Sequence, residues 1–145
     1  MPGGTQRGSR GFSLLELMTA LTVVAILALV ALPAYSRYLQ EGRLVEAPTL
    51  LTRYAAVLER RFLETHRYDE DGTCTFPAGR HFAVQCELRP GGYRLIARNL
   101  AGAGLGASDR YVYVLDSEGR RRTLRFAGEA RDLPCWQLRA GVGCP

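Results

Sequence analysis

Residues 11–35, GFSLLELMTALTVVAILALVALPAY, constrain this chain more than any other stretch. One acid, Glu16, sits near the start, and no further charge appears until Arg37. The interval holds about 20 mostly apolar residues, roughly 30 Å as a helix, which matches the hydrocarbon core of a bilayer. Arg7 and Arg10 precede it and no acid does, so the N-terminus is expected to stay cytoplasmic and the remainder to cross. An ordinary secretory signal peptide is the plainer alternative, with Ala34-Tyr35-Ser36 as a small-x-small cleavage site. Two features oppose it. The apolar run exceeds the usual length of such a segment. A carboxylate at its head is also costly in lipid unless it has a task.

The motif that opens the run is specific. Gly11-Phe12-Ser13-Leu14-Leu15-Glu16-Leu17-Met18 resembles the type III signal sequence of type IV pilins and pseudopilins. The resemblance implies cleavage after Gly11 by a prepilin peptidase and N-methylation of Phe12 by the same enzyme. It also implies an assembly role for Glu16, the fifth residue of the mature chain, and for Pro33, the helix-interrupting proline. It covers residues 11 to about 64 well and the rest more loosely.

At 145 residues the chain has room for one domain beyond the membrane segment. The expected division is a cleaved leader, 1–11; a membrane and filament-core helix, 12–36; and a head, 37–145. The formal net charge is +5, and all 19 basic residues are arginine. A charge of that size does not by itself imply nucleic acid.

Cys74, Cys86, Cys135 and Cys144 all follow the membrane segment. The topology places them in an oxidising compartment, where an even count implies disulfides. Three pairings are open. Cys74–Cys86 with Cys135–Cys144 is favoured because each closes a short loop flanking expected strands. A zinc set of Cys74, His81 and Cys86 lacks a C-x-x-C pair and suits the compartment poorly. No metal or other cofactor is expected.

Residues 1–11 read as a polar leader. Residues 12 to about 66 read as one long helix, apolar all round in its first half and amphipathic in its second. Leu44, Leu51, Ala55, Leu58 and Phe62 recur at helical spacing, and Leu50, Tyr54 and Val57 widen that face. Pro33 predicts a kink or melted turn, since it lacks an N–H and clashes with the carbonyl of Leu29. Gly42 weakens the helix, and Pro48 reads as tolerated curvature. Residues 67–80 form a loop whose Asp69, Glu70 and Asp71 lack the spacing of a calcium loop and read as an exposed acidic turn.

Beyond residue 80 the period becomes that of strands. His81–Leu88 alternates with Phe82, Val84, Cys86 and Leu88 on one face, then a turn at 89–92 leads to a second strand, Tyr93–Arg98. Residues 100–108, LAGAGLGAS, form a loop that does not make a dinucleotide-binding glycine pattern. Strands follow at Arg110–Leu115 and Arg120–Ala127, the latter with Leu124 and Phe126 inward and Arg121, Thr123 and Arg125 outward. The tail, LPCWQLRAGVGCP, looks like the C-terminal disulfide loop of pilins, most similarly to PilE-type minor pilins, which tend to carry an earlier cysteine pair. The expected fold is therefore α+β, the type IV pilin fold: a long N-terminal helix packed on a four-stranded antiparallel sheet with a C-terminal disulfide loop.

No catalytic constellation stands out, and His66 and His81 read as surface residues. The resemblance implies a structural subunit, a minor pilin of a type IV pilus. It would wait in the inner membrane as a single-pass protein, then join an extracellular fibre for motility, adhesion or DNA uptake. Implied partners are other pilin subunits, the prepilin peptidase/methyltransferase and the inner-membrane assembly machinery. A type II secretion pseudopilin is the near alternative. A pilus-borne DNA receptor is the distant one, resting on Arg120, Arg121, Arg122, Arg125, Arg131 and Arg139. On a regular strand Arg121 and Arg125 share one face, and Arg120 and Arg122 the other.

Overall fold

The computed structural model describes residues 11–69 and 72–144. Residues 1–10 of the expected leader lie outside the described residues, as do Glu70 and Asp71 of the expected acidic turn. The chain divides into two compact units, Met1–Arg37 and Tyr38–Pro145.

The first unit is helical. Helix α1, Leu14–Leu44, begins in it, and by length and composition its apolar stretch can cross a membrane. Its large apolar side chains are exposed throughout, from Phe12 at 82 % to Leu32 at 67 %. The turn at Pro33 is not melted: α1 passes through it without a break. One missing backbone bond is tolerated where the bonds on either side persist. The carbonyl of Pro33 accepts from Ser36 Oγ at 3.0 Å and Arg37 Nε at 3.3 Å.

In the second unit α1 ends at Leu44, Val45 stands alone, and α2 runs Glu46–Thr65. Pro48 accounts for this break. Its ring collides with a helical carbonyl four residues back, Leu44, and it offers that carbonyl no N–H. The interruption falls there and leaves Pro48 in the first turn of α2, where a backbone donor has no intrahelical acceptor anyway. The expected curvature is thus a one-residue interruption. At the far end His66 adopts the left-handed conformation (φ 57°) and donates its N–H to Phe62 O at 2.8 Å.

Ala47, Leu50, Leu51, Tyr54 and Leu58 form the buried face of α2, joined by Leu44. Val57, expected on that face, is 42 % exposed. The face packs on an antiparallel sheet of five strands in sequential order: β1 Phe82–Arg89, β2 Gly92–Asn99, β3 Val112–Asp116, β4 Arg121–Phe126 and β5 Glu129–Leu133. The expected count was four. β5 escapes a sequence reading because EARDL is largely charged and exposed and alternates nothing. Its hairpin turns on Ala127 and Gly128, both at positive φ, as a two-residue turn with the right twist requires.

The core beneath α2 takes Phe82 and Val84 from β1, Tyr93, Leu95 and Ala97 from β2, Tyr113 and Leu115 from β3, and Phe126 from β4. Leu88 does not join them, because burial fades along β1 toward its turn. The expected alternation on β4 also fails. Thr123 pairs with Tyr113 and is fully buried, whereas Leu124 packs with Ile96, Val112 and Val114 in a separate cluster. The register shifts between Val112 and Tyr113, so Arg125 faces Val112 and Leu124 is the extra residue of a bulge. A bulge reverses strand parity, which returns Phe126 to the α2 side.

Two disulfides close loops in this unit. Cys74 is joined to Cys86 and Cys135 to Cys144, each with Cα atoms 5.6 Å apart.

Candidate functional site

The N-terminal segment presents Gly11, Phe12 and Glu16 at the head of α1. Gly11 and Phe12 precede the first helical residue, and Glu16 falls in the first turn. An acid there is favoured by the partial positive charge of a helix N-terminus. Among the described residues no cation lies in ion-pair range of its carboxylate, and only its backbone carbonyl is engaged, by Thr19 Oγ1 at 2.9 Å. The arrangement is an unpartnered carboxylate beside a long, exposed apolar surface. Pro33 lies about 26 Å farther along the helix by its rise.

In the head, the loops and the tail are held by polar anchors that the residue pattern did not single out. Glu46, at the start of α2, accepts the His81 N–H at 2.9 Å and the Phe82 N–H at 3.3 Å, and its carboxylate meets His81 Nδ1. His81 is therefore an anchor and not a free surface residue. Burial pushes the Glu46 carboxyl up, but the His81 backbone and ring and the Phe82 N–H outweigh it and hold the group below its ordinary range. Gly79 admits this contact: a Cβ there would sit 2.1 Å from Glu46 Oε1.

Asn99 fastens the glycine-rich loop. It is buried, accepts the Tyr111 N–H at 2.9 Å and donates to Ala107 O at 2.8 Å. Gln40 Nε2 also reaches the Tyr111 hydroxyl. The signal available in the sequence was an asparagine at the end of a strand before a glycine-rich stretch, which favours local backbone bonding.

The tail is anchored on β3 and β4. Thr123 Oγ1 donates to Cys135 O at 2.6 Å and accepts the Gln137 N–H at 2.9 Å. Tyr113 donates its hydroxyl to Gln137 O at 2.8 Å, and Trp136 Nε1 to Val114 O at 2.9 Å. Burial raises the Tyr113 phenol above its usual range, so it stays a donor. The base of the Cys135–Cys144 loop is thus fixed by hydrogen bonds, while Arg139 through Gly143 stand exposed.

The structure does not gather the arginine cluster on one surface. Arg120 pairs with Asp116 at 2.7 Å, Arg131 with Glu129 at 2.6 Å and Arg139 with Glu41 at 2.9 Å. Arg122 Nε donates to Asp132 at 3.0 Å. The bulge also changes the expected faces. Arg122 and Arg125 lie opposite Val114 and Val112, in the cluster turned away from α2, whereas Arg121 lies opposite Leu115 with its guanidinium 5.0 Å from the Trp136 ring centroid. Arg121 therefore does not share a face with Arg125.

Residues 6–32 match the prokaryotic N-terminal methylation motif. The chain thus carries a prepilin signal. Neither a curated protein nor a solved structure matches the chain. A prepilin signal implies processing by prepilin peptidase and assembly with other pilins, and it fits membrane anchoring before assembly. The matched span contains Gly11, Phe12 and Glu16, and it ends one residue before Pro33.

Proposed function

We propose that this chain is a structural, non-enzymatic subunit of a type IV pilus, a minor pilin of the PilE type. The observation that supports it most is the prepilin signal at 6–32, which runs into the exposed apolar stretch of α1; the one carboxylate of residues 12–36, Glu16, has no cationic partner among the described residues. Residues 1–11 are the leader, 12–36 the membrane and filament-core helix, and 37–145 the head. Before assembly the protein spans the inner membrane once, with its N-terminus cytoplasmic. Cleavage between Gly11 and Phe12 frees an α-amine, which is methylated. When helices leave the lipid and bundle, that amine and Glu16 lose solvent together. A lone buried charge is costly and an opposite charge beside it offsets the cost. Glu16 therefore meets the Phe12 amine of a neighbouring subunit and sets the axial register. Pro33, which leaves α1 one backbone hydrogen bond short, gives the helix the flexibility that packing into a filament requires. Both disulfides lie in the head, and the exposed part of the Cys135–Cys144 loop supplies contacts on the fibre surface.

The test is mass spectrometry of filaments sheared from cells, with peptide coverage of Phe12, on the wild type and on Glu16→Ala. Trace but reproducible wild-type chain with methylated Phe12 is expected. The variant is expected to be cleaved normally and to be depleted from filaments. Abundance equal to that of the main fibre protein would make it a major pilin. Processed chain confined to membranes would make it a secretion pseudopilin. Normal incorporation of Glu16→Ala would sink the pairing argument.

A further inference from the structure

A groove of about 990 Å³ opens on the head. Tyr38, Leu39 and Arg43 from the last turns of α1 form one side, Arg80 and Arg139 stand around it, and the backbone at Gly104 forms another wall. The charges in it are unbalanced. Glu41, the acid of the groove, is taken by Arg139 at 2.9 Å. Arg43 donates Nη1 to the uncharged carbonyl of Gly104 at 2.7 Å. Among the described residues neither Arg43 nor Arg80 has an acidic partner. His81, also in the lining, faces Glu46 and not the groove's arginines.

The wall is built to keep Arg43 in place. Gly104 has φ 75°, and a Cβ on it would lie 2.1 Å from Arg43 Nη1. Only glycine lets the backbone take that shape and approach the guanidinium so closely. Two guanidinium groups without a counter-charge suit a phosphate, which Arg binds through a planar fork of donors. Tyr38 and Leu39 add an apolar strip beside those donors, and both are exposed. A free inorganic anion has no use for such a strip, whereas a headgroup continuing into a glycerol and acyl chains does.

We propose that this groove binds the phosphate headgroup of an anionic phospholipid. The inference rests on the membrane residence proposed above. In the sequence Tyr38 follows Ala34, near the end of the apolar run, by four residues, and Arg37 stands between them. A span held in a bilayer delivers such residues to the headgroup layer, where tyrosine and arginine are favoured. Holding a lipid there would fix the head against the membrane until the subunit is extracted, and extraction into a fibre would have to break that contact.

The full-length chain is reconstituted in nanodiscs of zwitterionic lipid, and in nanodiscs that also contain an anionic glycerophospholipid. Amide hydrogen exchange of residues 38–43 and 101–104 is read in both, for wild type, Arg80→Glu and Arg53→Glu. Arg53 lies on the exposed side of α2, outside the groove. Anionic lipid is expected to slow exchange about tenfold in the wild type and in Arg53→Glu, the protection given by a ligand at about ten times its Kd. Arg80→Glu is expected to lose that slowing while keeping its exchange pattern in the zwitterionic discs. Equal loss in both charge reversals would overturn the proposal, because it would reduce the effect to overall charge. The same slowing from inorganic phosphate added to zwitterionic discs would also overturn it, in favour of a free-anion site. Wild type that enters the discs but shows no lipid dependence overturns the groove and leaves the membrane reading standing. Failure to enter the discs at all overturns that reading, and the groove proposal with it.

Discussion

Replacing Glu46 by glutamine tests how the head is held together where helix and sheet meet. The carboxylate accepts two backbone N–H groups and faces an imidazole, with side-chain exposures of 20 % for Glu46 and 17 % for His81. Glutamine keeps the shape and one acceptor oxygen but removes the charge. Hydrogen bonds to a charged group are each worth about 1.5–3 kcal/mol, and a donor stranded away from water costs about 1–3 kcal/mol. Partial exposure lets water replace some of this, so a net loss of about 2 kcal/mol at neutral pH is expected. For a head of this size that corresponds to a fall in Tm of roughly 8 °C. The pH dependence carries the sharper test. The carboxyl of Glu46 is held below its ordinary range in the folded state, so the unfolded chain binds the proton more readily. Its stabilisation is complete above the unfolded pKa and is lost as pH falls through the folded one. The difference between wild type and Glu46→Gln should therefore persist from neutral pH into the acid range for as long as the carboxylate stays ionised, then shrink as pH falls below the ordinary carboxylate range. Urea unfolding of the full chain in detergent, followed by near-ultraviolet circular dichroism across that range, measures it. A variant as stable as wild type at neutral pH, or a gap that acid leaves unchanged, would refute the reasoning.

The neighbouring contacts give further expectations. Gly79→Ala should lose stability, because its methyl group would stand 2.1 Å from Glu46 Oε1 and 2.7 Å from Leu50 Cδ1; glutamine keeps the shape of Glu46, so a double-mutant cycle should show much of that loss persisting in the Glu46→Gln background. Asn99→Ala removes the acceptor of the Tyr111 N–H and the donor to Ala107 O, so a loss of about 2–4 kcal/mol is expected, with hydrogen exchange in residues 100–108 rising most. Cys135→Ser with Cys144→Ser should cost less than the roughly 3 kcal/mol expected for a loop of this length, because hydrogen bonds already fix the base. Trp136 should keep its near-ultraviolet signal in that variant, and loss of the signal would show that the disulfide places it.

Local chemistry carried a large part of the architecture. The apolar run and its leading acid are consecutive residues, so the membrane-competent helix and the Gly11-Phe12 to Glu16 spacing could be read along one dimension. The face formed by Leu44, Leu51 and Leu58 follows helical periodicity, and the first hairpin follows strand alternation with a glycine turn. Those features need only a residue and its near neighbours.

The remainder depends on partners distant in sequence. β5 forms because β4 offers it an edge, not because EARDL favours a strand. The bulge that buries Thr123 and moves Arg125 to the face of Arg122 comes from pairing with β3, and nothing in RRTLRF marks it. His81 becomes an anchor only because folding brings Glu46, 35 residues earlier, within reach of it. By itself the sequence determined the helix, its processing signal and the period of most elements, since these are written in adjacent residues. Tertiary structure alone decided strand register, which arginines share a face, and which polar side chains become anchors, because each depends on atoms that folding brings together.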